Sequence, residues 1–249
     1  MRLGIFGRGR LGGAVAMEIA KYTASPDALE LAWTEGREVG PRSRVEVAID
    51  ASTALAVEGH LAWAMETGTD LVIAATGWKI PDLAERVDGR IGVLIAPNLS
   101  TGVALVRKLA ALLGTYAAMD LEADLGIVEH HHKMKTDSPS GTAISLADAV
   151  AASCPRYLGW KMGAWEKDKI NIASLRSGFE IGRHELILDS PLESLTITHR
   201  AKDRRVFAAG AMKAALWIWG RKGIFTMEDF ASEVFSGVVQ PRAKPLAKN

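Results

Sequence analysis

The sequence predicts an α/β fold: a doubly wound parallel sheet, then a smaller α+β region with an open mixed sheet. Strand-like and helix-like runs alternate over the first hundred residues, which is typical of parallel strands joined by helices. A glycine turn joins the first predicted strand to the first predicted helix. Later in the chain, three strand-like runs follow one another without long helices between them, which indicates a second kind of sheet.

Five short apolar runs supply the predicted parallel strands, at residues 2–6, 29–33, 45–49, 70–74 and 91–95. Helical spacing lies between several of them, as in Leu11, Val15 and Ile19. Right-handed crossovers make such an arrangement Rossmann-like. For the second region we predict helices over 101–118, from Pro139 and over 203–219, and strands over 121–128, 172–177, 183–188 and 194–198.

Composition excludes several classes of protein. The 249 residues carry a formal net charge of +1, which gives no basis for binding nucleic acid or an anionic membrane. The single cysteine, Cys154, excludes an internal disulfide framework. Neither a membrane-spanning apolar run nor a signal-peptide pattern is found, so we expect a cytoplasmic protein without membrane contact. The basic residues 241–249 are expected to fray.

The first predicted strand ends in a G-x-G-x-x-G turn made of Gly7, Arg8, Gly9, Arg10, Leu11 and Gly12. The first glycine permits the tight turn, the second lets a pyrophosphate approach the backbone, and the third allows close packing of helix on strand. Free N–H groups at the helix start would face the phosphates. Strand, turn and helix together predict dinucleotide binding.

Two residues after the second predicted strand bear on which dinucleotide is bound. Glu35 can accept hydrogen bonds from the ribose hydroxyls of NADH, whereas Arg37 can pair with the 2′-phosphate of NADPH. A solvated loop that contacts neither cofactor explains the same two residues. The sequence therefore predicts NADH or NADPH without choosing between them.

The segment 129–143 carries the most chemistry: Glu-His-His-His-Lys-Met-Lys-Thr-Asp-Ser-Pro-Ser-Gly-Thr-Ala. A metal site is one interpretation of its histidines. However, at most His130 and His132 would share a face of an extended chain, and no Cys, Asp or Glu stands at zinc-motif spacing to complete a site. We therefore predict no metal. A purely structural loop is the second interpretation.

The third interpretation is an anion site at a helix start. Ser138 is predicted as the N-cap and Pro139 as the first helical residue, with Ser140, Gly141 and Thr142 in the first turn. Unpaired N–H groups and the helix dipole can hold a carboxylate there, and Gly141 has no side chain to block it.

Charged neighbours suit the same interpretation. Lys135 adds a positive charge, and histidine exchanges protons near neutral pH. Glu129 and Asp137 would repel an anion, so we expect them to face away from it and brace the loop. The segment therefore predicts that this loop holds and protonates a small dianionic substrate.

Segment 129–143 resembles the E-x-H-H-x-x-K-x-D-x-P-S-G-T-A signature of the 4-hydroxy-tetrahydrodipicolinate reductase (dihydrodipicolinate reductase) family. Other landmarks of that family lie in order along the chain: the glycine turn, Ile49-Asp50, Ala75-Thr76-Gly77-Trp78, Ala96-Pro97-Asn98-Leu99-Ser100, Arg176-x-Gly178, Gly182-x-His184, Thr198-His199-Arg200-Ala201 with Arg204, and Phe207-Ala208-x-Gly210-Ala211. The resemblance covers almost the whole chain.

The resemblance implies that a hydride from NADH or NADPH reduces 4-hydroxy-tetrahydrodipicolinate to tetrahydrodipicolinate, on the diaminopimelate route to lysine. It implies that His131 exchanges a proton, that Lys135 donates one and that His132 binds substrate. Gly141 and Thr142 would hold a carboxylate through their N–H groups. The implied cofactor contacts beyond the glycine turn are Ala74, Ala75, Thr76, Ala96, Pro97, Asn98 and Leu99, with Thr76 between the nicotinamide and the substrate.

The resemblance also implies a split first domain and a homotetramer. Residues 1–101 and 213–249 would form the dinucleotide-binding domain, and residues 102–212 the substrate-binding and oligomerisation domain. Departures from the family pattern are the six-residue glycine turn, Ala51 and Ala74-Ala75, and they bear on cofactor affinity and preference more than on reaction type.

Two alternative functions stay open. One is a non-catalytic dinucleotide-binding sensor, and the other is an NAD(P)-dependent dehydrogenase of a small amino or hydroxy acid. His184 and His199 are expected to be packing residues on strands. Trp217 and Trp219 are expected in the core or an interface.

Overall fold

The computed structural model describes residues 1–22, 29–36, 38 and 40–236. Two sequence-based predictions, for Arg37 and for residues 241–249, lie outside the described residues. The chain divides into two compact units, Met1–Pro97 with Ala211–Asn249, and Asn98–Gly210. The first is called the parallel-sheet unit below and the second the mixed-sheet unit.

The strands in chain order are β1 (Arg2–Phe6), β2 (Glu30–Glu35), β3 (Val47–Asp50), β4 (Asp70–Ile73), β5 (Gly92–Ile95), β6 (Asp124–His131), β7 (Trp160–Met162), β8 (Ile170–Arg176), β9 (Arg183–Asp189), β10 (Ser194–Arg200) and β11 (Gly223–Thr226). The helices are α1 (Arg10–Ile19), α2 (Val57–Thr67), α3 (Leu83–Val87), α4 (Thr101–Met119), α5 (Gly141–Ser153), α6 (Arg205–Ile218) and α7 (Met227–Val234). The predicted α/β architecture is confirmed.

The parallel-sheet unit contains six parallel strands in the order β11-β5-β4-β3-β1-β2. Every residue of β3 and β4 is buried, as expected of strands covered on both faces. Periodicity does not find β11, because this strand is short and only half-buried. The carboxyl ends of β1 to β5 meet at one edge of the sheet, so the residues that follow these strands come together there.

A buried aspartate ties the late part of the chain into this unit. Asp70 begins β4 and is 3% exposed. Its carboxylate accepts from the N–H of Gly92 at 2.8 Å and from the N–H of Gly220 at 2.7 Å. These bonds join β4, β5 and the turn that leads into β11.

The mixed-sheet unit contains five strands in the order β10-β9-β6-β8-β7. Its central strand, β6, pairs antiparallel with β9 and parallel with β8. Residues alternate in burial along β6, with Leu125 and Ile127 facing the core beneath α4 and α5. The same alternation buries Glu129 and His131 further along the strand.

Helix α4 is long and apolar enough to cross a membrane by length and composition, alone among the helices of the described residues. Its apolar residues Ala110, Leu113 and Ala117 lie in the core of the mixed-sheet unit. Arg107 on this helix donates from Nε to the hydroxyl of Ser145 on α5 at 3.0 Å. These contacts are those of a core helix.

Candidate active site

The centre of the site is a buried pair of side chains on β6. Glu129 has no exposed surface, and His131 is 6% exposed. The Nδ1 atom of His131 hydrogen-bonds to a carboxylate oxygen of Glu129. An ionised carboxylate only accepts hydrogen bonds, so Nδ1 carries a proton and Nε2 is the atom left to exchange one.

Three groups converge on the Glu129 carboxylate. Besides His131, Arg176 at the end of β8 donates from Nη2 to Oε1 at 2.7 Å, and the N–H of Ser140 donates to Oε1 at 3.2 Å. Burial alone would raise the pKa of Glu129, but hydrogen bonds from Arg176, Ser174 and His131 outweigh it and hold this pKa below its usual value. Glu129 therefore stays charged.

Burial has the opposite consequence for His131. It disfavours the imidazolium and lowers the pKa of His131, while Glu129 opposes this shift and the charges of Lys135 and Arg176 add to it. The neutral ring is therefore the resting form near neutral pH. A neutral ring with Nε2 unprotonated can accept a proton and return it.

Helix α5 begins later than the sequence predicted. The assignment of Ser138 as N-cap and Pro139 as first helical residue is wrong: Ser140 is the N-cap, with extended backbone (φ −67°, ψ 150°), and Gly141 is the first helical residue. The Ser140 hydroxyl accepts from the N–H of Ala143 at 3.2 Å. Bonds to Glu129 and His184 hold Ser140 in place, which is why this serine and not Ser138 caps the helix.

The first turn of α5 presents an open face. Gly141 is exposed, and a Cβ atom added to it would meet nothing within 4 Å. Backbone N–H groups at this point of a helix have no partner within the helix. The side chain of Asn98 donates from Nδ2 to the Thr142 hydroxyl at 3.0 Å. The geometry therefore suits a carboxylate held at Gly141 and Thr142.

Two cations of the site, Lys135 and Arg176, contact Asp137. The Nζ atom of Lys135 lies 2.7 and 2.8 Å from the two carboxylate oxygens of Asp137. Burial would raise the pKa of Asp137, but the Lys135 ammonium outweighs it and holds this pKa below its usual value. Arg176 also donates to the Asp137 carbonyl at 2.7 Å. Asp137 braces the loop through these contacts, in addition to pairing with Lys135.

The structure brings further residues to the site that sequence reasoning left without a role. Arg204 donates from Nη2 to Nε2 of His132 at 3.2 Å, and Arg176 joins Glu129 to the Asp137 carbonyl. Both arginines belong to family landmarks, but pattern analysis does not connect residues so far apart in sequence. Periodicity shows a strand and says nothing about what its last side chain contacts.

His184, expected to be a packing residue, lies next to the catalytic candidates. It is 5% exposed, its Nε2 lies 3.1 Å from the Ser140 hydroxyl, and its ring centroid is 5.1 Å from that of His131. Burial lowers the pKa of His184 to about 3, so the ring is neutral in the folded protein. His199 lies farther along, 3.4 Å from the Ser100 hydroxyl, and burial lowers its pKa too.

Glu129, His131 and His184 offer three ligand atoms that lie within 4.8 Å of one another. Two histidines and a carboxylate are a common set of metal ligands. Here, however, the Glu129 oxygens already accept from Arg176, Ser140 and His131. A cation at this point would face the Arg176 guanidinium, so the electrostatics favour a hydrogen-bonded cluster.

In the parallel-sheet unit, the glycine turn has the geometry that a dinucleotide requires. Gly7 has φ +102°, and a Cβ atom there would lie 2.5 Å from the Ala51 carbonyl oxygen. A Cβ atom on Gly12 would lie 1.8 Å from the Gly7 carbonyl oxygen, whereas one on Gly9 would meet nothing within 4 Å. Gly9 is also the N-cap of α1 and offers no side chain there. These residues fit a pyrophosphate at the helix start.

The other predicted cofactor residues occupy the ends of neighbouring strands or lie just after them. Glu35 is the last residue of β2 and is paired with Arg42, and Arg8 is exposed. The N–H groups of Ala74 and Ala75 donate to the Asp50 carbonyl at 2.9 and 3.1 Å. The remaining predicted residues of this unit are the exposed Arg10, Thr76 and Pro97, the half-buried Leu11 and the buried Ala96.

Comparisons with known proteins identify the family of this chain. Models described as "Dihydrodipicolinate reductase, N-terminus" and "Dihydrodipicolinate reductase, C-terminus" match residues 20–99 and 102–231. The 4-hydroxy-tetrahydrodipicolinate reductase of Acidiphilium cryptum is 36% identical over 244 residues, 92% of this chain and 96% of that protein. That of Alkalilimnicola ehrlichii is 36% identical over 234 residues, 90% of this chain and 80% of that protein.

A solved structure shows the same fold. A dipicolinate-bound dihydrodipicolinate reductase from Paenisporosarcina sp. TG-14 has a TM-score of 0.77 and 22% sequence identity, covering 92% of this chain and 98% of that chain. The family models together match most of the chain, and both relatives align over most of their own length. The chain therefore belongs to the dihydrodipicolinate reductase family, whose members are also named 4-hydroxy-tetrahydrodipicolinate reductase.

Proposed function

We propose that this chain reduces 4-hydroxy-tetrahydrodipicolinate to tetrahydrodipicolinate, with a hydride and a proton added and the 4-hydroxyl group lost as water; this is the reductive step of the diaminopimelate route to lysine. The observation that supports this proposal most strongly is the cluster in the mixed-sheet unit, where Glu129 orients a buried His131 beside the open start of α5. A nicotinamide dinucleotide, NADH or NADPH, supplies the hydride when bound. The glycine turn and the residues after β2, β4 and β5 would hold that cofactor.

The chain's own residues bind the substrate and move protons. The N–H groups of Gly141 and Thr142 hold one carboxylate, the Lys135 ammonium balances its charge, and His132 contacts the substrate. Nε2 of His131 accepts or returns a proton, and Lys135 donates one once substrate draws it from Asp137. The sequence also predicts Ser140 as a substrate-binding residue, but it is 2% exposed and its N–H donates to Glu129, so we assign it to holding the helix start.

These positions assign a different ligand to each unit. The parallel-sheet unit binds the dinucleotide, and the mixed-sheet unit binds the dicarboxylate. The mixed-sheet unit would also build a homotetramer. Its strand β10 is mostly exposed, with Leu195 at 49%, and Leu175 on β8 is 52% exposed. Sedimentation velocity tests whether the protein is a homotetramer. We also propose that the enzyme lies in the cytoplasm.

A coupled assay tests the function directly. Purified protein should oxidise NADH or NADPH only when the preceding synthase and both of its substrates are present. Tight cofactor binding without such turnover would favour a dinucleotide sensor and would contradict the proposal. Turnover of aspartate or a 2-hydroxy acid in place of the synthase product would favour another dehydrogenase.

A further inference from the structure

A second ionic cluster lies at the carboxyl ends of β2 and β3 in the parallel-sheet unit. Arg42 donates to both oxygens of Glu35, from Nε at 2.5 Å and from Nη2 at 2.6 Å. The Glu35 side chain is 7% exposed and the Arg42 side chain 15% exposed. A two-point ion pair of this kind is strong and fixed in direction.

Neighbouring side chains fix the position of this ion pair. His60 lies with Nδ1 2.8 Å from Asp50 Oδ2 and with Nε2 3.8 Å from Glu35 Oε1. The His60 ring stacks on Phe6, with centroids 3.8 Å apart, and the Arg42 guanidinium lies 5.0 Å from the centroid of the Phe6 ring. Turning the Glu35 carboxylate toward solvent would break both of its bonds to Arg42 and its contact with His60.

The ion pair changes what this edge of the sheet can recognise. A free carboxylate at the end of the second strand accepts from the ribose hydroxyls of NADH and repels the 2′-phosphate of NADPH. Here the charge of Glu35 is balanced by Arg42. A second guanidinium lies beside it, because Arg8 is exposed and donates to the Thr34 carbonyl from Nε at 3.1 Å and from Nη2 at 2.8 Å.

We propose that Arg42 determines the cofactor specificity of this enzyme: by engaging Glu35 it makes the sheet edge accept the 2′-phosphate of NADPH, with Arg8 as the second cation. This inference rests on the dinucleotide binding in the proposed function. Glu35 holds Arg42 in place and is not the ribose acceptor that its position in sequence suggests.

The test is direct binding of NADPH and of NADH, measured by nicotinamide fluorescence without substrate. The variants are Arg42→Met, Arg42→Lys and Glu35→Gln, with Arg44→Met, an exposed arginine two residues away, as the matched control. Arg42→Lys keeps the charge without the two-point geometry, so it serves if Arg42→Met does not fold. Circular dichroism of each variant reports folding.

We expect the wild-type protein to bind NADPH at least as tightly as NADH. Arg42→Met should weaken NADPH relative to NADH by about tenfold, Arg42→Lys should weaken it in the same direction but less because the charge remains, and Arg44→Met should leave the ratio unchanged. Glu35→Gln should leave NADH affinity unchanged. If Glu35→Gln weakens NADH by about tenfold, or if the Arg42 variants weaken both cofactors equally, the inference is overturned. If the wild-type protein binds neither cofactor, the proposed function fails with it.

Discussion

Each unit of this chain contains one buried glutamate that is paired with an arginine and lies close to a histidine, and the two clusters differ in what they hold. In the parallel-sheet unit, one partner takes both oxygens of Glu35, because the Arg42 guanidinium binds them as a fork. His60 adds only a longer contact at 3.8 Å. The result is a closed ion pair that sets the local charge.

In the mixed-sheet unit, the carboxylate of Glu129 is shared among three partners. These are the Arg176 guanidinium, the N–H of Ser140 at the start of α5, and Nδ1 of His131. Each partner belongs to a different part of the candidate active site. A carboxylate shared in this way fixes positions, so its loss should disturb chemistry more than the loss of Glu35.

The largest expected effect comes from breaking the shared cluster. Glu129→Gln places an amide N–H₂ or a neutral carbonyl against Nδ1 of His131, so the tautomer with Nε2 free is no longer enforced. We expect kcat in the coupled assay to fall by about 1000-fold while cofactor affinity stays unchanged. The exposed Glu193→Gln is the matched control. Wild-type kcat in a folded Glu129→Gln protein would show that the shared carboxylate does not position His131.

A smaller loss is expected from the cation next to this cluster. Lys135→Ala removes the ammonium that we propose as proton donor, so kcat should fall by about 100-fold. Binding of pyridine-2,6-dicarboxylate, measured by calorimetry, should weaken, whereas binding of the dinucleotide should not. Lys133→Ala, an exposed lysine two residues earlier, should change neither quantity. Unchanged turnover in Lys135→Ala would remove this residue from the chemistry.

Substitutions at two glycines of the turn test the geometry assigned to the parallel-sheet unit. Gly12→Ala would press a Cβ atom against the Gly7 carbonyl, so we expect the free energy of unfolding to fall by about 1–3 kcal/mol, together with cofactor affinity. Gly9→Ala has open space and should leave stability unchanged while it weakens the cofactor. Urea unfolding and cofactor titration measure both. Equal stability losses in the two variants would contradict the assigned geometry of the turn.

The expected effect that is smallest near neutral pH, and that grows as the pH falls, is a dependence of stability on pH. Burial lowers the pKa of His184 from 6.5 to about 3, so below pH 6.5 the unfolded chain binds a proton that the folded protein excludes. Folding stability therefore falls as pH drops from 6.5 toward 3, by up to about 1.4 kcal/mol per pH unit from this residue.

His184→Gln should remove that part of the slope when urea unfolding is compared at pH 6.5 and about pH 5. Thr198→Ala, an exposed and non-titratable position on β10, the strand paired with β9, is the control and should keep the wild-type slope. A His184→Gln protein with the wild-type slope would show that this ring does not exclude a proton in the folded state.

Local signals in the sequence predict much of this molecule. The glycine turn after β1 and a helix start shortly after residue 139 both depend on neighbouring residues, and pattern analysis finds them. The choice between Ser138 and Ser140 as N-cap does not depend on neighbouring residues alone, because either serine can cap a helix. Contacts with Glu129 and His184 decide it, and His184 is 44 residues from Ser140 in sequence.

The two carboxylate clusters could not be predicted from the sequence either, because the fold decides which side chains meet and which are buried. Arg176 lies 47 residues from Glu129, and only the pairing of β6 with β8 brings them together. Glu35 and Arg42 are close in sequence, but nothing in their spacing says that the pair is buried against Phe6. Short edge strands such as β7 and β11 carry too few residues for periodicity to find them.

The most direct test is a crystal structure of the protein with a nicotinamide dinucleotide and pyridine-2,6-dicarboxylate. We expect one carboxylate of the ligand within hydrogen-bonding distance of the N–H groups of Gly141 and Thr142, with Lys135 turned from Asp137 toward the ligand. A dicarboxylate bound at a different place, with Lys135 still paired to Asp137 and the start of α5 vacant, would contradict the account.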